Sequence, residues 1–164
     1  MVDYSPRRSR LIFQVDLFPA HGCLPDNLDE VNEREKDVRY SSRTRLTTDI
    51  LREKHDVRHA INELHKLLPL VIASTEQAKR LYEYGCVTEM DIVQLIYRPS
   101  EPQGALKDFQ LGRSTMEERW QQGLSDAQTT LHVSPWLAPM PKELGVRVFD
   151  VIHEILVGHR KEAA

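Results

Sequence analysis

The sequence predicts a mixed α/β fold that is predominantly helical, and three observations carry that prediction. Two short runs dense in aliphatic, β-branched and aromatic residues, at about 10–18 and 90–97, read as buried strands. A long helical arm separates them, and parallel strands joined by a helical crossover are the arrangement expected of such an order. Two strands are few for so much helix, and natural sheets rarely leave apolar edges uncovered, so the pair reads as part of a larger sheet.

The first run, RLIFQVDLF, is nearly continuous in apolar residues, as in a strand covered on both faces, and ends at Pro19. Asp16 within it needs a partner if buried, and the arginines of RYSSRTR are the candidates. PAHGCLPDN is a loop, with Asp26 or Asn27 as the cap of the helical segment after it. From Leu28 to Leu68 the chain is helical; Leu46, Ile50, Val57, Ile61, Leu64 and Leu68 fall on one apolar stripe, and Pro69 ends it. Interleaved acids and bases elsewhere on this arm describe a solvated face, on which His55 and His59 are expected to face water. Ser74 and Gln77 open a short helix running to Tyr84, stopped by Gly85.

The second strand is MDIVQLIYR, followed by a loop enforced by Pro99, Pro102 and Gly104. Ser114 precedes Glu117 by three residues, the spacing of a capping box, and Met116, Trp120, Leu124, Ala127 and Leu131 form one helical stripe beyond it. Trp120 therefore reads as core. Gly123, costing about 1 kcal/mol against alanine inside a helix, implies close packing there. SPWLAPMPKELG is an irregular connector in which Trp136 is the tryptophan available to a partner. The apolar spacing from Val146 to His159 predicts a final helix.

A chain of 164 residues with 40% hydrophobic and 29% charged residues is long enough for one domain with its own core. A net charge of −3 gives no general electrostatic case for nucleic acid or an anionic membrane. No apolar run approaches the roughly 20 residues of a transmembrane helix, and the basic start MVDYSPRRSR does not read as a signal peptide. Cys23 and Cys86 read as two unpaired thiols, which fits a cytoplasmic protein, peripheral at a membrane at most.

LIFQVDLFPAHG, DEVNEREKDVRYSSRTR, IVQLIYR, KDFQLGRSTMEERWQQG and GVRVFD, in that order, resemble the C-terminal region of bacterial patatin-like phospholipases. That family carries a KDYEFSR-x-SM-x-x-HW-x-x-G element; here Leu111-Gly112 replaces Phe-Ser, and Arg119 stands at the histidine. The resemblance implies one C-terminal domain or fragment over 1–164. Within it, 10–22 is the last strand region of a patatin-type core, 28–68 the arm, 90–131 a strand plus capped helix, and 132–164 a connector and terminal helix. It also implies that the whole enzyme hydrolyses lipid acyl esters through a Ser-Asp dyad, with no cofactor or metal.

The family's nucleophile lies in G-x-S-x-G, on a strained turn between strand and helix, and its base in a D-G-G/A segment. The nearest match here, Gly112-Arg113-Ser114-Thr115-Met116, lacks the second glycine, and no Asp-Gly pair occurs. No catalytic residue is therefore assigned, and Asp16, Ser114, Glu117, Trp120 and Gly123 are structural. The expected partner is the catalytic portion or another chain, a second copy included, with lipid as substrate of the whole.

Two further readings remain open. One is a free-standing helical interaction module using the arm and Trp136. The other is an anion or metal site: Arg39, Arg43 and Arg45 suit phosphate contact, and His55 and His59 share a helix face, without an H-E-x-x-H pattern.

Overall fold

In a computed structural model, residues 9–99, 102–104, 106–141 and 144–162 are described. The elements are β1 (Arg10–Asp16), α1 (Leu28–Leu67), α2 (Leu70–Ala73), α3 (Glu76–Tyr82), β2 (Met90–Ile96), α4 (Arg113–Val133), β3 (Val146–Phe149) and α5 (Val151–Glu162). The class is mixed α/β and mostly helical. The sheet has the order β1-β2-β3, with β2 in the centre. Its register is parallel. Arg10 N donates to Glu89 O at 3.0 Å where β1 and β2 begin, and Tyr97 N to Asp16 O at 2.8 Å where they end. Met90 N donates to Gly145 O at 2.9 Å, which sets β3 beside β2 in the same direction.

β3 corrects the expectation of a helix from Val146 onward. Val146-Arg147-Val148-Phe149 alternates with a period of two, between Gly145 and Asp150, and the helix starts only at Val151. β1 also differs from its reading as a strand covered on both faces. Leu11, Phe13, Val15 and Leu17 are exposed, Val15 at 71%, while Ile12, Gln14 and Asp16 on the other face are half-buried. The apolar run records a face that stays largely open to solvent.

By its contacts the chain forms two compact units, and each strand passes from the first to the second. The core of the first unit is Met90, Ile92 and Val146, with Ile12 and Val148 packed against it. The second half of α1 builds the frame around this core with polar groups. His55 Nε2 donates to Thr88 O at 2.8 Å, and Arg58 O accepts from Cys86 N at 3.0 Å. Asp56 Oδ1 accepts from both Gly145 N (3.0 Å) and Val146 N (3.1 Å), which positions the start of β3. A Cβ on Gly145 would lie 2.9 Å from His55 Cδ2 and 3.1 Å from His59 Cβ, so glycine is required by the close approach. Arg147 forms a forked pair with Asp91 at 2.8 and 3.0 Å and reaches the connector through Trp136 O and Ala138 O.

In the second unit, Asn27 caps α1. Its Oδ1 accepts from Glu30 N at 3.0 Å, while Glu30 Oε2 accepts from Asp26 N at 2.8 Å. Glu33, Asp37 and Ser41 on the first half of α1 are buried. Lys107 reaches down between the two carboxylates, 3.4 Å from Glu33 Oε1 and in contact with Asp37. Glu33 Oε2 also accepts from the amides of Gln103 (3.0 Å) and Gly104 (2.7 Å). Gly104 sits at φ +78°, and a Cβ there would meet Asp29 Oδ2 at 2.6 Å.

α1 thus inverts its expected orientation. Its buried positions are Glu33, Asp37, Ser41, Thr48, His55, His59 and Asn62, whereas Leu46, Ile50, Val57 and Leu64 of the apolar stripe are exposed. His55 and His59 are interior rather than solvent-facing. The other helices differ in detail. α3 is capped by Thr75, whose Oγ1 accepts from Ala78 N at 3.2 Å, not by Ser74. α4 has Gly112 at its cap without a side-chain bond, so Ser114 is already helical, and Glu117 pairs instead with Arg113 Nε at 3.2 Å. Trp120 is 71% exposed and a Cβ on Gly123 would meet nothing within 4 Å, so neither records close packing within this chain. Trp136 is half-buried, the reverse of the expected roles of the two tryptophans.

Candidate functional site

In open parallel sheets, ligands bind beyond the carboxyl ends of the strands, where the loops diverge. The corresponding residues here all lie in the second unit, and two features occupy them. The first is a cavity of about 630 Å³ lined on its apolar side by Val15, Leu17, Phe18, Leu95, Ile96 and Leu111. Its polar side includes Tyr97, Gln103, Lys107, Arg119 and Asp126. These groups are held in place. Gln103 Nε2 donates to Tyr97 Oη at 2.8 Å, and Arg119 Nη2 donates to both Gln103 Oε1 and Lys107 O at 2.9 Å. Burial pushes the Asp37 carboxyl beneath Lys107 upward against the pull of that ammonium, and burial likewise raises Asp126, opposed by Arg98.

The second feature is a basic cluster drawn from four places. His21 follows β1, Arg34 and Arg45 come from α1, Arg98 follows β2, and His153 lies in the first turn of α5. Arg45 Nη2 lies 3.1 Å from His21 Nε2, and the His21 and His153 rings stack at 5.2 Å with 13° between their planes. Arg34 donates to Pro19 O at 2.9 Å and to Ala20 O, which fixes the loop carrying His21. Arg98 pairs with Asp150, and Asp150 Oδ1 accepts from His153 N at 3.2 Å, so one carboxylate both caps α5 and neutralises Arg98. Burial and then the neighbouring Arg45, His153, Arg34 and Arg98 hold the His21 imidazole below its ordinary pKa.

The residues named from sequence separate accordingly. Arg45 joins the cluster. Arg39 pairs with Glu35 on the exposed side of α1, and Arg43 is exposed outside the cluster. Asp16 takes none of these arginines as partner; its Oδ1 accepts from Phe18 N at 3.0 Å, turning the chain out of β1, and it lines the cavity with Gly123. Ser114, Glu117 and Trp120 lie on the exposed side of α4. Among the described residues, no group of three or more His, Cys, Asp or Glu is arranged to hold a metal. Cys23 is exposed, Cys86 is buried with its Sγ 3.0 Å from Thr88 Oγ1, and neither is in a disulfide among the described residues. Arg119, Lys107, Arg98 and His153 were not legible as site residues. Their only sequence signal is that each lies in or beside a segment matching the resemblance.

A parallel three-stranded sheet with a long helical arm defines a mixed, predominantly helical α/β domain. A family model described as patatin phospholipase matches residues 38–143, more than half of the chain, and the chain belongs to that family. Comparison with curated proteins and with solved structures gives no match. Among the described residues no helix is long and apolar enough to cross a membrane.

Proposed function

We propose that this chain acts as a non-catalytic C-terminal segment of a patatin-type lipid acyl hydrolase, completing or covering the hydrolase core. The observation that carries the reading is the exposed face of Leu11, Phe13 and Val15 on β1, continued by Leu17 just beyond it, on an edge strand of a three-stranded sheet. An apolar face of this extent on an edge strand is costly in water and prone to pairing, and natural proteins cover such edges. Strands from the serine-bearing portion would cover it and extend the sheet. The exposed apolar residues Leu46, Ile50, Val57 and Leu64 of α1, and Met116, Trp120 and Leu124 of α4, support the same reading. The chemistry of ester cleavage would then reside outside these residues. Ser114 sits in a regular helix rather than on a strained turn, and its nearest charged neighbours in sequence, Arg113 and Glu117, pair with each other.

A fluorophosphonate probe tests this directly. The purified polypeptide is expected to remain unlabelled and to leave a p-nitrophenyl ester intact, whereas stoichiometric labelling with matching turnover refutes the reading. A free-standing interaction module would be equally unlabelled, but its apolar faces would be indifferent to the serine-bearing portion of a patatin.

A further inference from the structure

We propose that the basic cluster of His21, Arg34, Arg45, Arg98 and His153 binds a phosphate group, either free or carried at the end of a phosphomonoester. The inference goes beyond the reading as a hydrolase segment and stands without it. The first argument is charge. Arg98 is neutralised by Asp150, but Arg34 and Arg45 enter no ion pair among the described residues. Two guanidiniums and two imidazoles thus converge with one carboxylate, which Arg98 already occupies. Like charges so placed repel one another, and a bound anion relieves that repulsion.

The second argument is the proton state. A guanidinium has donors only, so His21 Nε2 must accept from Arg45, which leaves His21 neutral with its proton on Nδ1. The charged and titratable groups facing this imidazole are Arg34 and Arg45 from α1, Arg98 from beyond β2, and His153 at the start of α5. An incoming dianion reverses the Coulomb part of that environment. It draws Arg45 onto its own oxygens and allows His21 to take up a proton and become a donor. The third argument is placement and shape. The cluster lies where parallel strands end, and the guanidinium fork matches a phosphate with two parallel N–H···O bonds. The start of α5 adds little, since Asp150 already accepts from the His153 amide.

The test monitors the histidine C2–H resonances through a pH titration, in sodium chloride and in inorganic phosphate at matched ionic strength. Phosphate should raise the His21 midpoint relative to chloride. Arg45→Gln should weaken phosphate binding by about tenfold or more, the loss of one charge-assisted bond. Arg43→Gln, exposed on the same helix outside the cluster, should leave it unchanged. Circular dichroism confirms that each variant folds, and His153→Gln, which leaves α1 intact, gives a second weakened variant. Binding to phosphatidic acid vesicles but not phosphatidylcholine vesicles, lost in Arg45→Gln, with no response to inorganic phosphate, assigns the site to a lipid-borne phosphomonoester. Identical titrations in the two salts, together with vesicle binding indifferent to Arg45→Gln, overturn the proposal.

Discussion

Lys107→Met removes the only cation that the buried carboxylates Glu33 and Asp37 contact among the described residues, with all three side chains 8% exposed or less. At the 3.4 Å separation from Glu33, one unit-charge pair is worth about 5 kcal/mol at an effective dielectric of about 20. Desolvation of the lysine offsets part of this. The expected loss is therefore about 3–5 kcal/mol, the range for stripping one partner from a buried ion pair. The pH dependence has a definite sign. Burial holds the Asp37 carboxyl above its ordinary value, so the folded state binds that proton more tightly than the unfolded chain. The penalty for ionising it is absent below about pH 4 and grows as pH rises through the folded value. Removing the ammonium enlarges that penalty, so the gap between native and variant should be widest near neutrality and narrow in acid. Urea unfolding across pH measures both. Glu33→Gln and Asp37→Asn added to Lys107→Met should recover most of the loss, because no unpaired charge remains. A loss below about 1 kcal/mol at neutral pH, or one independent of pH, refutes the reasoning.

Four other outcomes rest on the same geometry. Gly145→Ala drives a methyl into the His55 and His59 side chains and should cost about 1–3 kcal/mol in thermal unfolding. Gly123→Ala meets nothing and should stabilise α4 by about 0.5–1 kcal/mol; a destabilisation would restore the close-packing reading. Trp120→Ala should cost less than about 1 kcal/mol in this chain alone, far below a core tryptophan, and the native tryptophan emission should show a strongly solvated component. Because His21 titrates below its ordinary value, it favours the folded state above about pH 6.5, and that contribution should fade as pH drops toward its folded value. His21→Gln should flatten that part of the stability profile.

The class and the outline of the fold were legible for particular reasons. β2 reads as a strand because Met90, Ile92 and Val93 are buried and its apolar run has no competing helical spacing. β1 reads as a strand too, but its apolar run says nothing about which face is covered within the chain. α1 shows that limit most clearly: Leu46, Ile50, Val57 and Leu64 have helical spacing, yet so do Asp37, Ser41, Thr48, His55, His59 and Asn62, which the fold buries. Periodicity finds a helix without saying what lies against it. β3 was hidden because four residues of alternation run straight into the apolar positions of α5, leaving one joined pattern that favours helix. The cap at Ser114 failed because Gly112 adopts the extended backbone that begins α4, which leaves the serine inside the first turn. Of the basic cluster only Arg45 was legible. His21 reads as an isolated loop histidine, and its neighbours arrive from α1, the end of β2 and α5, a convergence that exists only once the parallel sheet is formed.

Labelling of Val15→Cys by a maleimide tests most directly whether the β1 face is built to be covered. Val15 is 71% exposed, so the substituted thiol should react rapidly in the chain alone. Adding the serine-bearing portion of a patatin-type hydrolase as a second polypeptide should slow that reaction strongly and leave Cys23 labelling unchanged. An unaltered rate at Val15→Cys, with the two polypeptides remaining separate on size exclusion, would contradict the assignment of this face to the hydrolase core.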